Sequence, residues 1–181
     1  MLTYQRRHSG FTLIEIILGI IVLATALVVI TGVLAPLYKQ SAEPWQQVRA
    51  AELGQSLLNE IMARSFDENS DRAGGQFRCG ENSTSCTSCT ALGPESELRA
   101  AFDDVDDFHG LTLSGSDIVG SSAALALTSL YLGYNASIAV NCAELNGSSS
   151  TAATAPLKRI VVTVTTPNGV PIQFSAYRGN W

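Results

Sequence analysis

The sequence predicts an α+β chain in which a long N-terminal helix packs on a small antiparallel sheet. Three observations predict it. Residues 16–38 form an uncharged run of 23 residues, and about 20 apolar residues suffice to cross a bilayer as a helix. A helix-spaced apolar pattern then continues to about Ser65. The β-branched and alternating segments come late, after residue 130. The 181 residues are 46% hydrophobic and only 15% charged, against roughly 25% charged in globular chains. That balance argues against disorder and against a multi-span membrane protein. It fits one membrane-length helix joined to one ordinary domain.

Residues 1–10 carry Arg6 and Arg7 and no acid, so this end is expected to stay cytoplasmic while the rest crosses. The only charge between Arg7 and Lys39 is Glu15. A plain signal anchor needs no such residue. A cleavable secretory signal, for which Ala24-Thr25-Ala26 offers a site, would end before Leu27-Val28-Val29-Ile30. A carboxylate in a membrane helix costs about 2.5–3.5 kcal/mol even on the lenient insertion scale, so Glu15 is a functional candidate.

Pro36 is expected to kink the helix without ending it. Beyond it, Val48, Ala51, Leu57, Leu58, Ile61 and Met62 fall mostly on one face, with Glu43, Arg49, Glu52, Glu60 and Arg64 largely elsewhere. A helix from about Thr12 to Ser65 would be about 80 Å long. Its first half wants lipid or other helices and its second half wants a sheet.

After Phe66 the composition turns acidic, with eleven acids in residues 67–117 against Arg72, Arg78 and Arg99. Gly74-Gly75 and Gly93-Pro94 mark turns. The stretch reads as an irregular connection with one short helix near Glu95–Phe102. Residues 112–128 and 146–156, rich in Ser, Thr, Ala and Gly, read as loops. Leu130–Val140 is a strand candidate, and Ile160–Thr165 is the strongest strand. Pro167-Asn168-Gly169 is a turn leading into the alternating strand Pro171–Tyr177, whose proline belongs at a strand start or sheet edge.

Cys79, Cys86, Cys89 and Cys142 would all lie on the exported side. Two disulfides, in any of three connectivities, are expected in an oxidising compartment. A zinc site of Cys79, Cys86 and Cys89 with Cys142 or His109 is the alternative. In Phe102–Gly110, four carboxylates (Asp103, Asp104, Asp106, Asp107) fall within five residues. They read as a solvated acidic loop anchored by Phe102, Val105 and Phe108. The alternative is a calcium site, although no glycine falls inside the cluster and no EF-hand glutamate follows.

Ser9-Gly10-Phe11-Thr12-Leu13-Ile14-Glu15, followed by its apolar run, resembles the processing site of the type IV pilin superfamily. The resemblance implies cleavage between Gly10 and Phe11 by a prepilin peptidase, which methylates the new amino terminus. It implies that Glu15, fifth residue of the mature chain, pairs with the terminal amine of a neighbouring subunit during assembly. A paired carboxylate is tolerable in a low dielectric where a lone one is not. It implies a leader over 1–10, a transmembrane and assembly helix over 11–38, its amphipathic continuation over 39–65, and an exported domain over 66–181. The blocks Ser65–Asn69, Arg78-Cys79-Gly80, Leu92–Glu95 and Phe102–Gly110 further resemble the D-type minor pilins of mannose-sensitive haemagglutinin (MSHA) pili.

No enzyme is expected. His109 is the only histidine left after cleavage, and no nucleophile elbow, Walker loop or dinucleotide fingerprint occurs. The mature chain would hold 9 basic and 16 acidic residues, net −7, which disfavours nucleic acid. Expected partners are other pilin subunits, the peptidase and the inner membrane before assembly, with no cofactor unless calcium binds. A minor pilin that primes or caps an adhesive pilus, a tip adhesin, and a minor pseudopilin of a type II secretion system all fit this sequence.

Overall fold

The computed structural model describes residues 10–70, 78–119 and 130–180, without the side chains of residues 35–43, 116 and 119. The expected leader therefore lies outside the described residues except for Gly10, as do the Gly74-Gly75 turn and the loop over 120–128. The kink expected at Pro36 falls among the undescribed side chains. The chain divides into two compact units, Met1–Pro44 and Trp45–Trp181. Helix α1, Leu13–Met62, contributes to both. The division falls at Pro44, which has no N–H to give to the i−4 carbonyl.

In the first unit, Leu13–Leu34 is a helical stretch of 22 residues, long and apolar enough to span a membrane, with none of it buried. Thr25 and Thr31 return their hydroxyl protons to backbone carbonyls one turn earlier, Ile21 and Val22 for the first and Leu27 and Val28 for the second. Their polar groups are thereby satisfied within the helix.

In the second unit, strands β1 (Thr112–Ser114), β2 (Asn135–Ala143), β3 (Leu157–Thr165) and β4 (Pro171–Gly179) form one antiparallel sheet in sequence order. The α+β arrangement and the antiparallel sheet are as the sequence predicts. The outer part of α1 buries Ala50, Leu53, Leu57, Leu58 and Ile61 in one core with Ala136, Ile138 and Val140 of β2 and Ile160, Val162 and Val164 of β3. The 3, 4, 7 spacing from Ala50 is what a helix face on a sheet requires. The face differs from expectation at Val48, which is 60% exposed. It lies two residues before Ala50, about 200° around the helix.

The strand expected over Leu130–Val140 begins five residues later. Tyr134 N donates to Tyr131 O at 3.1 Å, and Gly133 adopts φ +82°, so the chain turns before it can pair. β1 lies within the 112–128 stretch whose composition reads as loop. Its three residues pair with Asn135–Ser137. No helix forms near Glu95–Phe102. Glu95 and Ser96 adopt φ +44° and +82°, a left-handed pair that an α-helix does not admit. The turn at Pro167–Gly169 forms as expected, with Gly169 at φ +81° and its N–H on Thr166 O at 2.8 Å.

Candidate functional site

At the N-terminal end of α1, residues 10–12 are non-helical and exposed, and beyond its chain neighbours no described residue lies within 4 Å of a Cβ built on Gly10. Thr12 caps the helix. Glu15 N donates to Thr12 O at 3.1 Å and to Thr12 Oγ1 at 3.4 Å, and Ile16 N donates to Thr12 O at 3.3 Å. Thr12-Leu13-Ile14-Glu15 thus has the Ser/Thr-x-x-Glu spacing of a capping box, with a carboxylate at the positive end of the helix dipole. The spacing is legible in the sequence, and an acid in the first turn favours the start of the helix.

The cysteines form two disulfides, Cys79–Cys86 and Cys89–Cys142, with Cα separations of 4.7 and 5.8 Å. Of the three connectivities this one links near neighbours and then ties residue 89 to β2. The zinc alternative loses its ligands, because all four sulfurs are used. His109 is turned elsewhere, with Nδ1 2.7 Å from Val140 O and accepting Val140 N–H at 3.2 Å.

The acidic loop departs from the expected solvated form. Phe102, Val105 and Phe108 do anchor it, but Asp104, Asp106 and Asp107 are buried too. Burial is possible because the loop supplies their partners. Asp104 Oδ1 accepts the N–H groups of Asp106 (2.6 Å) and Asp107 (3.1 Å), and Asp107 Oδ2 accepts those of Asp103 (3.0 Å) and Asp104 (3.2 Å). Burial pushes the Asp104 carboxyl up to about 6 against the pull of these donors and of Lys158. At the loop's exposed edge, a hydrogen bond to Asp103 and its charge push Glu68 up to about 7. The four-carboxylate calcium set is not assembled. Asp103 and Asp107 group with Glu97, their oxygens within 4.8 Å of one another, while Asp104 and Asp106 are committed elsewhere.

Asp106 is committed to Lys158. Lys158 Nζ lies 2.6 Å from Asp106 Oδ2, 3.1 Å from Asp67 Oδ2 and 2.7 Å from Phe66 O, and 4.4 Å from the centroid of the Phe66 ring. The segment Phe66-Asp67 is brought there by a bridge between Ser65 and Asp104: Ser65 N donates to Asp103 O at 3.0 Å, and Val105 N to Ser65 O at 3.1 Å. The sequence reading missed Lys158 and Asp67. A signal existed, since the alternation Ile160, Val162, Val164, extended back by two, points Lys158 into the core. Burial also dominates at Asp106, raising its carboxyl to about 7 despite the adjacent Lys158 ammonium.

No family model, curated protein or solved structure matches this chain.

Proposed function

We propose that this chain is a minor pilin that takes part in assembling an adhesive type IV pilus of the MSHA kind, as a priming or tip subunit. It enters the inner membrane through its N-terminal helix, is cut between Gly10 and Phe11 by a prepilin peptidase, and places its disulfide-bonded domain outside. The observation that carries the reading is Gly10-Phe11-Thr12-Leu13-Ile14-Glu15 leading into an unburied, membrane-length helix. An exposed, non-helical Gly10–Thr12 suits a peptidase, which must reach extended backbone. A lone acid within Leu13–Leu34, a stretch with no buried surface of its own, suits contact with other subunits, whose amine would neutralise it.

Two experiments test it. In cells that make the pilus, Glu15→Ala is expected to leave cleavage at Gly10 intact while lowering recovery of the protein in sheared filaments severalfold. Wild-type recovery of that variant defeats the assembly role of Glu15, and a chain still carrying residues 1–10 defeats the processing site. Deleting the gene separates the system-level readings: loss of surface pili supports the priming role. Normal pili that fail to adhere indicate a tip adhesin, and intact pili with blocked exoprotein release a pseudopilin.

A further inference from the structure

The Lys158 site is an unusual place for an ion pair. Lys158, Asp67 and Asp106 are 1%, 0% and 1% exposed, so two carboxylates meet one ammonium away from water. The two acids are not equivalent. Asp67 is fully engaged: Oδ1 accepts Asn69 N–H at 3.1 Å, and Oδ2 accepts Thr87 N–H at 2.9 Å besides Lys158. Both of its oxygens are thereby satisfied. Among the described residues Asp106 Oδ1 has no hydrogen-bond partner, although a buried carboxylate oxygen left bare is costly. Burial accordingly favours the neutral acid at Asp106. An amine, a carboxyl group disposed to be neutral, and a fixed carboxylate base are thus held together beside the Phe66 ring.

We propose that Lys158 and Asp106 condense in the folded domain to an intramolecular isopeptide bond, Nζ to Cγ, with Asp67 carrying the protons. One proton first passes from the Lys158 ammonium to Asp106, by way of Asp67, leaving a neutral amine facing a neutral carboxylic acid. The Nζ lone pair adds to Cγ of Asp106. Asp67 takes a proton from the nitrogen and delivers it to the departing hydroxyl. The Cγ–OH bond breaks, water leaves, and the amide remains with Asp67 again a carboxylate. Nothing is oxidised or reduced, and no co-reactant is needed. Fixed contact replaces a bimolecular encounter, an advantage of about 10⁵–10⁸ M in effective concentration. The product also removes a buried charge pair and leaves an amide N–H for Asp67 or Phe66 O.

The bond lies beside an existing staple. Lys158 pairs directly with Cys142 across β2 and β3, and Cys142 holds Cys89. An amide at Lys158 would fix residue 106 to the same rung, closing the acidic connection covalently at two adjacent points. The inference does not depend on the pilin reading.

The test is peptide mapping of the full chain, isolated folded from the producing cells, then reduced, alkylated and digested with trypsin and a glutamate-specific protease, whose cut after Glu144 separates Asp106 from Lys158. The expected result is a branched peptide joining Lys158 to Asp106, with the summed mass of its two arms less one water and no cleavage after Lys158. Unlinked Lys158 and Asp106 peptides, with cleavage after Lys158, overturn the proposal. Asp67→Asn, which retains an oxygen for one of the Asn69 and Thr87 N–H groups, is expected to leave the chain folded, as circular dichroism would show, and unlinked. A bond formed equally well in that variant overturns the role of Asp67.

Discussion

Cys142 and Lys158 face each other across the β2–β3 ladder, both turned into the core, and each fastens the acidic connection to the sheet. Cys142 holds Cys89, while Lys158 holds Asp67 and Asp106. Among the described residues the connection between α1 and β1 has little regular structure of its own, so this rung is a main point at which it is held to the sheet.

Replacing Lys158 tests that concentration. Lys158→Met leaves Asp67 and Asp106 buried without their cation, a change that costs about 3–5 kcal/mol when one partner of a buried pair is removed. Adding Asp106→Leu is expected to recover much of the loss, because Asp67 keeps its Asn69 and Thr87 donors whereas Asp106 has none for Oδ1 among the described residues. Urea unfolding of the single and double variants measures both.

The disulfides should contribute unequally. Cys89–Cys142 spans 53 residues and Cys79–Cys86 spans 7. Loop-closure entropy then gives about 4 kcal/mol for the long loop and about 2 kcal/mol for the short one. Paired alanine variants, compared by denaturant midpoint, should show the larger loss at Cys89 and Cys142.

At Gly54, α1 packs closely against Phe174 of β4. A Cβ there would sit 2.3 Å from the Phe174 ring, so the ring must move. Gly54→Ala is expected to destabilise by about 1–3 kcal/mol through overpacking, despite alanine's helix preference of about 1 kcal/mol. In a Phe174→Ala background the same change should become neutral or stabilising, as a double-mutant cycle would show.

The acidic loop predicts stability that rises on mild acidification. The Asp104 carboxyl is at about 6 in the folded protein against 3.8 for the free group, raised chiefly by burial. The folded state therefore binds more protons than the unfolded state between these values, and stability falls as pH rises through them. Glu68, at about 7 through Asp103, acts in the same direction. The Tm near pH 5 is expected to exceed that near pH 7.5. Asp104→Asn, which keeps an acceptor for the Asp106 and Asp107 N–H groups, should narrow the difference.

Much of the fold is legible residue by residue. Ile160–Thr165 and Pro171–Tyr177 lie inside β3 and β4, because β-branched runs and strict alternation are local signals. The helix over Thr12–Ser65 corresponds to Leu13–Met62. What failed was β1, three residues whose pairing exists only because β2 lies alongside, and the helix near Glu95, undone by backbone signs at Glu95 and Ser96. Composition does not encode either.

The sequence by itself determined the membrane-length apolar stretch, the amphipathic face beyond it and the late antiparallel strands, since each rests on periodicity within one segment. Only the tertiary structure decided the fate of the charges. Asp103, Asp104, Asp106 and Asp107 look alike in a row, yet Asp103 is exposed, Asp104 and Asp107 are consumed by loop amides, and Asp106 meets Lys158 from 52 residues away. The physical reason is that a buried charge is tolerated only beside its partners, and those partners come from segments that the chain brings together only when it folds.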